Sequence, residues 1–394
     1  MLSSELSVLH VAGVDMHLRL PSILALQERG VNISAAGSGE SKMFDEAGIP
    51  FFRYPLSRGA SPVADRATKR ALAKIIEWAR PNVVHSFSTK PCVLVPPVAR
   101  AAGVSAVLRT VCGLGYLYSS DTVKAKLMRV PYLMLHRKAS RAANFTIFQN
   151  ADDKQLFQTK GVVRSDNCTL IPGSGVDVAA LRKQLPDHEQ REQLRHELRL
   201  DGDGPVVIMI SRLVKQKGVD HYLQSAREVR KQHPNAQFLL VGPVAGEGGQ
   251  AVSLKTIETY SDAVSYLGYR TDIPALLSMA DIFVLPSRYR EGVPRVLMEA
   301  AALGLALVTT NMPGCKDVVI NEDTGLMIEP GDQPGLTAAI GRLVEEPQLR
   351  EHVGNRAYAR IQERFEVSRV VDAYLNVYGQ ALGEPIEETR RRAA

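Results

Sequence analysis

The sequence predicts an α/β protein made of two doubly wound, Rossmann-like domains meeting at a cleft. Three observations carry that expectation. The chain has 394 residues, more than one core of ordinary size absorbs. Short apolar runs alternate with helical stretches along most of it, the mark of parallel sheets with helices on both faces. The alternation breaks once, in a stretch rich in Gly, Pro and charge at 170–205, and then restarts.

The elements follow in order. SVLHVAGV (7–14) reads as a strand and PSILALQERG (21–30) as a helix closed by Gly30. VNISAAG is a second strand, and ADRATKRALAKIIEWARP (64–81) an amphipathic helix stopped by Pro81. NVVHSF, AVLRTV and NFTIFQN (144–150) are further strands, with a helix through VPPVARAAG. After the break come PVVIMISRLV (205–214), QFLLVGPV (237–244), AVSYLG (263–268), ADIFVLPS (280–287), LALVTT (305–310) and GLMIEPG (325–331), with helices between them. VSRVVDAYLNVYGQAL (367–382) has helical apolar spacing. The expected organisation is an N-terminal domain at 1–175, a linker at 176–204, and a C-terminal domain at 205–364. A helix at 365–384 is expected to cross back to the N-terminal domain, and a tail at 385–394 to be disordered.

Composition narrows the class. Hydrophobic residues make up 45% and charged residues 23%, as in globular proteins. Cys92, Cys112, Cys168 and Cys315 form no C-x-x-C pair, which speaks against a zinc site or a disulfide framework and for a reducing compartment. The opening residues lack a basic leader region, and no apolar run reaches the roughly 20 residues of a membrane-spanning helix. A cytoplasmic protein, peripheral on the inner face of the cell membrane, is expected. Charge is uneven: residues 1–170 hold 22 Lys+Arg against 12 Asp+Glu, although the whole chain is only +6. A basic first half suits an anionic partner or an acidic lipid surface. The stretch 122–143 contains Lys124, Lys126, Arg129, Arg137 and Lys138 among apolar residues, with no acidic residue. It fits either an interfacial helix on an anionic bilayer or a packed helix with a basic rim. Nucleic acid is not expected, because interleaved aromatics are lacking.

Two segments carry chemistry. In PSRYREGVPRVLMEAAALG (286–304), a turn at Gly292 leads into a helix near Pro294. The first amides of that helix, around Val293, Pro294, Arg295 and Val296, would favour an anion. Glu291 precedes the helix and Glu299 lies within it. In ISRLVKQKGVD (210–220), Arg212 and Lys217 project beyond the C-terminal end of a strand, where open α/β sheets bind ligands. A planar guanidinium and a point-charge ammonium together match a diphosphate.

Arg212-x4-Lys217-Gly218, Glu291-Gly292-x-Pro294-Arg295 with Glu299-Ala300, Pro313-Gly314-Cys315 and Gly325-Leu326 resemble the donor half of retaining family-four glycosyltransferases of the GT-B fold. VVHSFSTKP (83–91), TVCGLGYLYSS (110–120), FQNADD (148–153) and IPGSGVD (171–177) resemble the bacterial branch that builds capsule, O-antigen and N-glycan precursors. The resemblance implies a metal-independent transfer from a UDP-sugar, of an N-acetylhexosamine or hexose, to a polyprenyl-diphosphate-linked saccharide. No cofactor is implied beyond the nucleotide-sugar substrate. It implies Arg212, Lys217 and Glu291 as catalytic residues, with Glu299 on the ribose. Val293, Pro294, Arg295, Val296, Gly13 and Arg270 complete the donor set. The acceptor set is Asp15, His17, His85, Lys90, Arg109, Gly113, Gly115 and Tyr116. Two departures stand out. Relatives carry Gly-Gly in the first loop where this chain has only Gly13, and His-x-His where it has His85-Ser86-Phe87. A nucleotide-sugar 2-epimerase of the same architecture, or a transferase with a soluble acceptor, is the alternative. A dehydrogenase would need G-x-G-x-x-G after the first strand, which HVAGVDMHL lacks.

Overall fold

The computed structural model of the protein describes residues 5–57, 59, 61–200, 202–244 and 250–387. It divides into two compact units. The first is Met1–Gly175 with Val367–Ala394, and the second is Val176–Glu366.

The first unit is built on seven parallel strands: β1 (Ser7–Val11), β2 (Asn32–Gly37), β3 (Phe51–Arg53), β4 (Val83–Phe87), β5 (Ala106–Val111), β6 (Phe145–Phe148) and β7 (Cys168–Leu170). They lie in the order β3-β2-β1-β4-β5-β6-β7. The order reverses beside β1, where β2 pairs on one edge and β4 on the other. β1 is buried along Val8–Val11, and its alternating side chains feed two cores. Val8 packs with one helix layer, and Leu9 and Val11 with the other. A strand buried on both faces needs such a near-continuous apolar run.

The helix Val367–Leu382 belongs to this first unit. Val367, Val370, Val371, Tyr374, Leu375 and Tyr378 recur at three- and four-residue steps and fill the same core as Val8 and Val83. That stripe is what a helix lying on a sheet requires. Of the tail, Ile386 packs against this core, and residues 388–394 lie outside the described ones.

The second unit has six parallel strands: β8 (Val206–Ile210), β9 (Gln237–Val241), β10 (Ser265–Tyr266), β11 (Ile282–Leu285), β12 (Ala306–Thr310) and β13 (Leu326–Ile328). The order β10-β9-β8-β11-β12-β13 reverses beside β8. Val206, Ile208 and Ile210 face one core and Val207 and Met209 the other.

The segment 176–204 is not a linker. It forms the helices Val178–Lys183 and His188–Glu197, and Leu181, Leu194, Leu198 and Leu200 are buried in the core of the second unit. Asp177 and Asp187 cap the helices, accepting from Ala180 N at 2.7 Å and Gln190 N at 2.9 Å. Its polar composition reflects caps and a solvated outer face, while widely spaced leucines do the packing. Among the described residues, no helix is long and apolar enough to cross a membrane.

Candidate active site

The loops leaving β8, β11 and β12 bring the donor-side residues together in the second unit. Beyond β8, a short 3-10 turn (Lys215–Lys217) ends at Gly218, whose φ is +76°. A Cβ at Gly218 would lie 2.2 Å from the Pro286 carbonyl oxygen, so only glycine lets the Lys217 turn sit against the exit of β11. Gly314, at φ +87°, does the same for the next loop: its Cβ would lie 1.7 Å from the Gly292 carbonyl oxygen.

This packing places Lys217 Nζ 2.6 Å from Glu291 Oε1, with both side chains largely buried, at 12% and 14% exposure. The Ser287 hydroxyl donates to the same carboxylate oxygen at 2.9 Å and accepts from Tyr289 N at 3.2 Å. The Thr310 hydroxyl in turn donates to the Ser287 carbonyl at 2.5 Å. Arg288 pins the Lys217 turn, donating to the Lys215 carbonyl at 2.6 Å and to Asp220. The buried Cys315 thiol is pushed up to about 12 by burial and by the Glu291 charge, so it is no thiolate nucleophile. A pair desolvated this far gives little net stability, yet breaking it on one side is costly.

Arg212 is exposed two residues past β8, at the same C-terminal edge. The helix Arg295–Ala302 starts from Pro294 as its cap residue, one position later than a Pro in the first turn would give. The Val293 and Val296 side chains pack into the core, which leaves only their backbone for a ligand. Glu299 accepts from Arg295 Nε at 2.7 Å, an i,i+4 pair within the helix. Arg270 is tied to both carboxylate oxygens of Asp272 at 2.8 and 2.6 Å and to Glu197 at 2.7 Å, clamping the loop after β10 to the helix His188–Glu197. Gly13 belongs to the first unit, and its N–H donates to Asp15 Oδ1 at 3.2 Å.

In the first unit, the loops after β1 and β4 meet beside the reversal of strand order. Asp15 accepts from Ser88 Oγ as well as from Gly13 N. Gly113 (φ +91°) and Gly115 (φ +59°) shape the loop after β5, and Tyr116 is exposed. His17 is exposed, with Nδ1 3.1 Å from the Val14 carbonyl.

Two acceptor assignments, His85 and Arg109, are corrected by burial, and a third residue, Lys90, is held by partners within the unit. His85 is completely buried between Tyr378 OH, 2.7 Å from Nδ1, and Thr110 Oγ1, 2.7 Å from Nε2. Burial and the neighbouring His10 and Arg19 charges hold it well below the ordinary histidine range. It anchors the C-terminal helix. Lys90 is committed to Asp65 at 2.7 Å, the Ser57 carbonyl at 2.9 Å and the Gly59 carbonyl at 2.7 Å. Arg109 is fully buried, donating to Thr146 Oγ1 at 2.9 Å, so it cannot contact an acceptor at the surface. One residue was missed. Arg19 is 6% exposed and stacks over Phe87, and its Nε and Nη1 have no partner among the described residues. The only signal was a lone cation just past the first strand.

On the helix Val123–Ala142, Lys124, Lys126 and Lys138 are exposed. Arg129 donates to the Leu117 and Ser120 carbonyls, and Arg137 to those of Gly161 and Lys160. These two cations hold neighbouring loops. Among the described residues, no group of three or more His, Cys, Asp or Glu is placed to hold a metal ion.

Two parallel-sheet Rossmann-like units with their polar loops at the strand C-termini define the GT-B class of glycosyltransferases. Residues 190–360 match the family described as glycosyl transferases group 1, and residues 13–173 match the glycosyl transferase 4-like domain. Both halves of the chain thus match glycosyltransferase families, and the protein is a glycosyltransferase. It is 28% identical over 376 residues to a Campylobacter jejuni N,N'-diacetylbacillosaminyl-diphospho-undecaprenol alpha-1,3-N-acetylgalactosaminyltransferase, covering 95% of this chain and 97% of that protein. It is 26% identical to an Escherichia coli UDP-Gal:alpha-D-GlcNAc-diphosphoundecaprenol alpha-1,3-galactosyltransferase, with the same coverage. Its fold matches Anabaena HepE, solved in complex with UDP, at a TM-score of 0.77 and 18% identity, covering 95% of this chain and all of that one.

Proposed function

We propose that the protein transfers an N-acetylhexosamine or hexose from a UDP-sugar to a polyprenyl-diphosphate-linked saccharide, with retention of configuration and without a metal. The observation that carries this reading is the buried Lys217–Glu291 pair at the reversal of strand order in the second unit. Two relatives named for diphospho-undecaprenol sugars support the acceptor class, and a fold neighbour solved with UDP supports the nucleotide.

In this mechanism the anomeric C–O bond to the diphosphate breaks and negative charge grows on the leaving β-phosphate. Arg212 and Lys217 face that charge, helped by the first amides of the helix Arg295–Ala302. Glu291 holds donor-sugar hydroxyls and Glu299 the ribose. The acceptor hydroxyl attacks from the same face, and a leaving-phosphate oxygen takes its proton. Asp15 and the glycine-shaped loop around Gly113 and Gly115 serve the acceptor, with Arg19 available to an anionic group there.

The helix Val123–Ala142 docks on an anionic bilayer. Val123, Leu127, Val130 and Met134 form a stripe 61–74% exposed, spaced four, three and four residues apart, with Lys124, Lys126 and Lys138 nearby.

The test incubates the protein with a panel of nucleotide sugars, then adds a polyprenyl-diphospho-sugar. Transfer that needs the acceptor and survives EDTA supports the reading. Conversion of the nucleotide sugar alone indicates the 2-epimerase instead. Transfer confined to a lipid-free sugar overturns the lipid acceptor, and loss of transfer on chelation overturns metal independence. Vesicle binding unchanged after neutralising Lys124, Lys126 and Lys138 overturns the membrane contact.

A further inference from the structure

A groove of about 620 Å³ in the first unit is lined by Lys90 but by no other residue assigned above to donor or acceptor. Its floor is the first turns of the helix Pro91–Ala101, at Val93 and Leu94. One wall is the helix Pro62–Ala79, which presents Asp65, Arg66 and Lys69 from a single face. The other wall is the helix Val123–Ala142, at Tyr132, Leu135 and His136. Its size falls within the roughly 300–1,000 Å³ of small-molecule sites.

The groove has the chemistry of an anion site with an apolar bed. Arg66 and Lys69 are exposed, with no acidic partner among the described residues, whereas Asp65 is neutralised by Lys90. The opposite wall holds donors without acceptors. Arg109 Nη1 lies 3.3 Å from His136 Nδ1. A guanidinium can only donate, so Nδ1 accepts and the neutral imidazole carries its hydrogen on Nε2. Burial and Arg109 hold His136 well below its ordinary range, which keeps it neutral. His136 is fully buried, and its Nε2 has no partner among the described residues; nor does Tyr132 OH, on a side chain 9% exposed. Behind them, Arg109 is a buried cation whose hydrogen-bond partners include no carboxylate. The unanswered Tyr132 hydroxyl and two rim cations call for acceptor oxygens with negative charge, favoured by the field of the fully buried Arg109 behind His136. The floor and Leu135 call for hydrocarbon. Leu135 is itself 53% exposed on the helix assigned to the bilayer, so an occupying chain continues directly into lipid.

We infer that this groove binds the prenyl-phosphate part of the lipid-linked acceptor, with phosphate oxygens between the Arg66–Lys69 wall and the Tyr132–His136 wall and the chain along Val93, Leu94 and Leu135. This deepens the proposed function and rests on its lipid acceptor.

The test uses the full chain, with farnesyl diphosphate as the amphiphilic probe and inorganic diphosphate and phosphatidylglycerol vesicles as controls, read by titration calorimetry. Wild type is expected to bind farnesyl diphosphate at least tenfold tighter than inorganic diphosphate. The double variant Arg66→Glu/Lys69→Glu and the groove-filling variant Val93→Trp should each weaken it at least tenfold, with UDP-sugar binding unchanged. Arg66 and Lys69 are exposed and Val93 is half-buried, so both variants are expected to fold. Equal binding of inorganic and farnesyl diphosphate, unchanged affinity in both variants, or competition by phosphatidylglycerol as strong as that by farnesyl diphosphate would each overturn the assignment. Farnesyl diphosphate bound through the groove, with no transfer to any polyprenyl acceptor, would sink the proposed reaction and leave the site standing. Transfer with an unaltered acceptor KM in both variants would sink the site and leave the reaction.

Discussion

Replacing Lys217 by Met separates two roles that one ammonium plays. At 2.6 Å from Glu291 Oε1, the gross attraction is about 6 kcal/mol at an effective dielectric of 20, most of it offset by desolvation of the two charges. Lys217→Met leaves the Glu291 carboxylate largely buried without its ammonium partner. That cost approaches about 3 kcal/mol, the lower end for a broken buried pair. For a unit of this length it corresponds to a fall in Tm of roughly 6–12 °C. Turnover should fall by about 10²–10³, as for other lost donors to a developing anion. Adding Glu291→Gln removes the stranded charge, and the double variant should recover most of the Tm but none of the turnover. Calorimetry on the full chain reads the first quantity, and kcat under saturating donor the second. A single variant that keeps kcat within about threefold, or a double variant whose turnover returns with its stability, would refute the reasoning.

Three further outcomes are expected. His10 is lowered to about 3 by burial, with a smaller contribution from Arg19, and His85 and His136 are also lowered. The unfolded chain therefore binds protons near pH 6.5 that the folded chain refuses. Stability is complete above that pH and is lost on acidification, by up to about 1.4 kcal/mol per pH unit for each histidine; a Tm that stays flat from pH 7.5 to 5 would contradict this. Tyr378→Phe removes the hydroxyl shared by His85 Nδ1 and His10 Nε2, costing about 1–3 kcal/mol in unfolding free energy, with kcat unchanged. Gly314→Ala puts a Cβ 1.7 Å from the Gly292 carbonyl and must displace the Glu291 turn, so kcat should drop by up to about 10²; unimpaired turnover would show that the turn does not position Glu291.

What the sequence disclosed follows from what each residue depends on. Parallel strands such as VVIMI are buried on both faces, so their apolar runs stand out. β3 and β7 have three residues each, too few to show a pattern. The segment 176–204 misled because four leucines in a polar stretch have no visible period until the caps at Asp177 and Asp187 set the frame. The Lys217 and Glu291 loops were legible because loop residues past a strand C-terminus carry ligand chemistry in this architecture. His85 was not, because a histidine reads alike in sequence whether it faces a ligand or a buried tyrosine from a helix 293 residues away. The idle donors of Arg19 and His136 were likewise invisible, since being unpartnered is a property of three-dimensional surroundings.

The donor edge of the second unit is already paired within itself. Lys217 meets Glu291 and Arg295 meets Glu299, so these four charges cancel. A nucleoside diphosphate gains little from those four at long range and must gain from geometry. Its hydroxyls can take the carboxylate oxygens, while its phosphates share the cations from the other side. A carboxylate oxygen has more than one lone pair, so an oxygen that meets a cation can still accept from a ligand hydroxyl. The carboxylates then hold the cations still, so that little reorganisation is needed as charge develops on the leaving phosphate. Arg212 is exposed at the same edge, so its loss should depress turnover with less effect on stability than the loss of the largely buried Lys217.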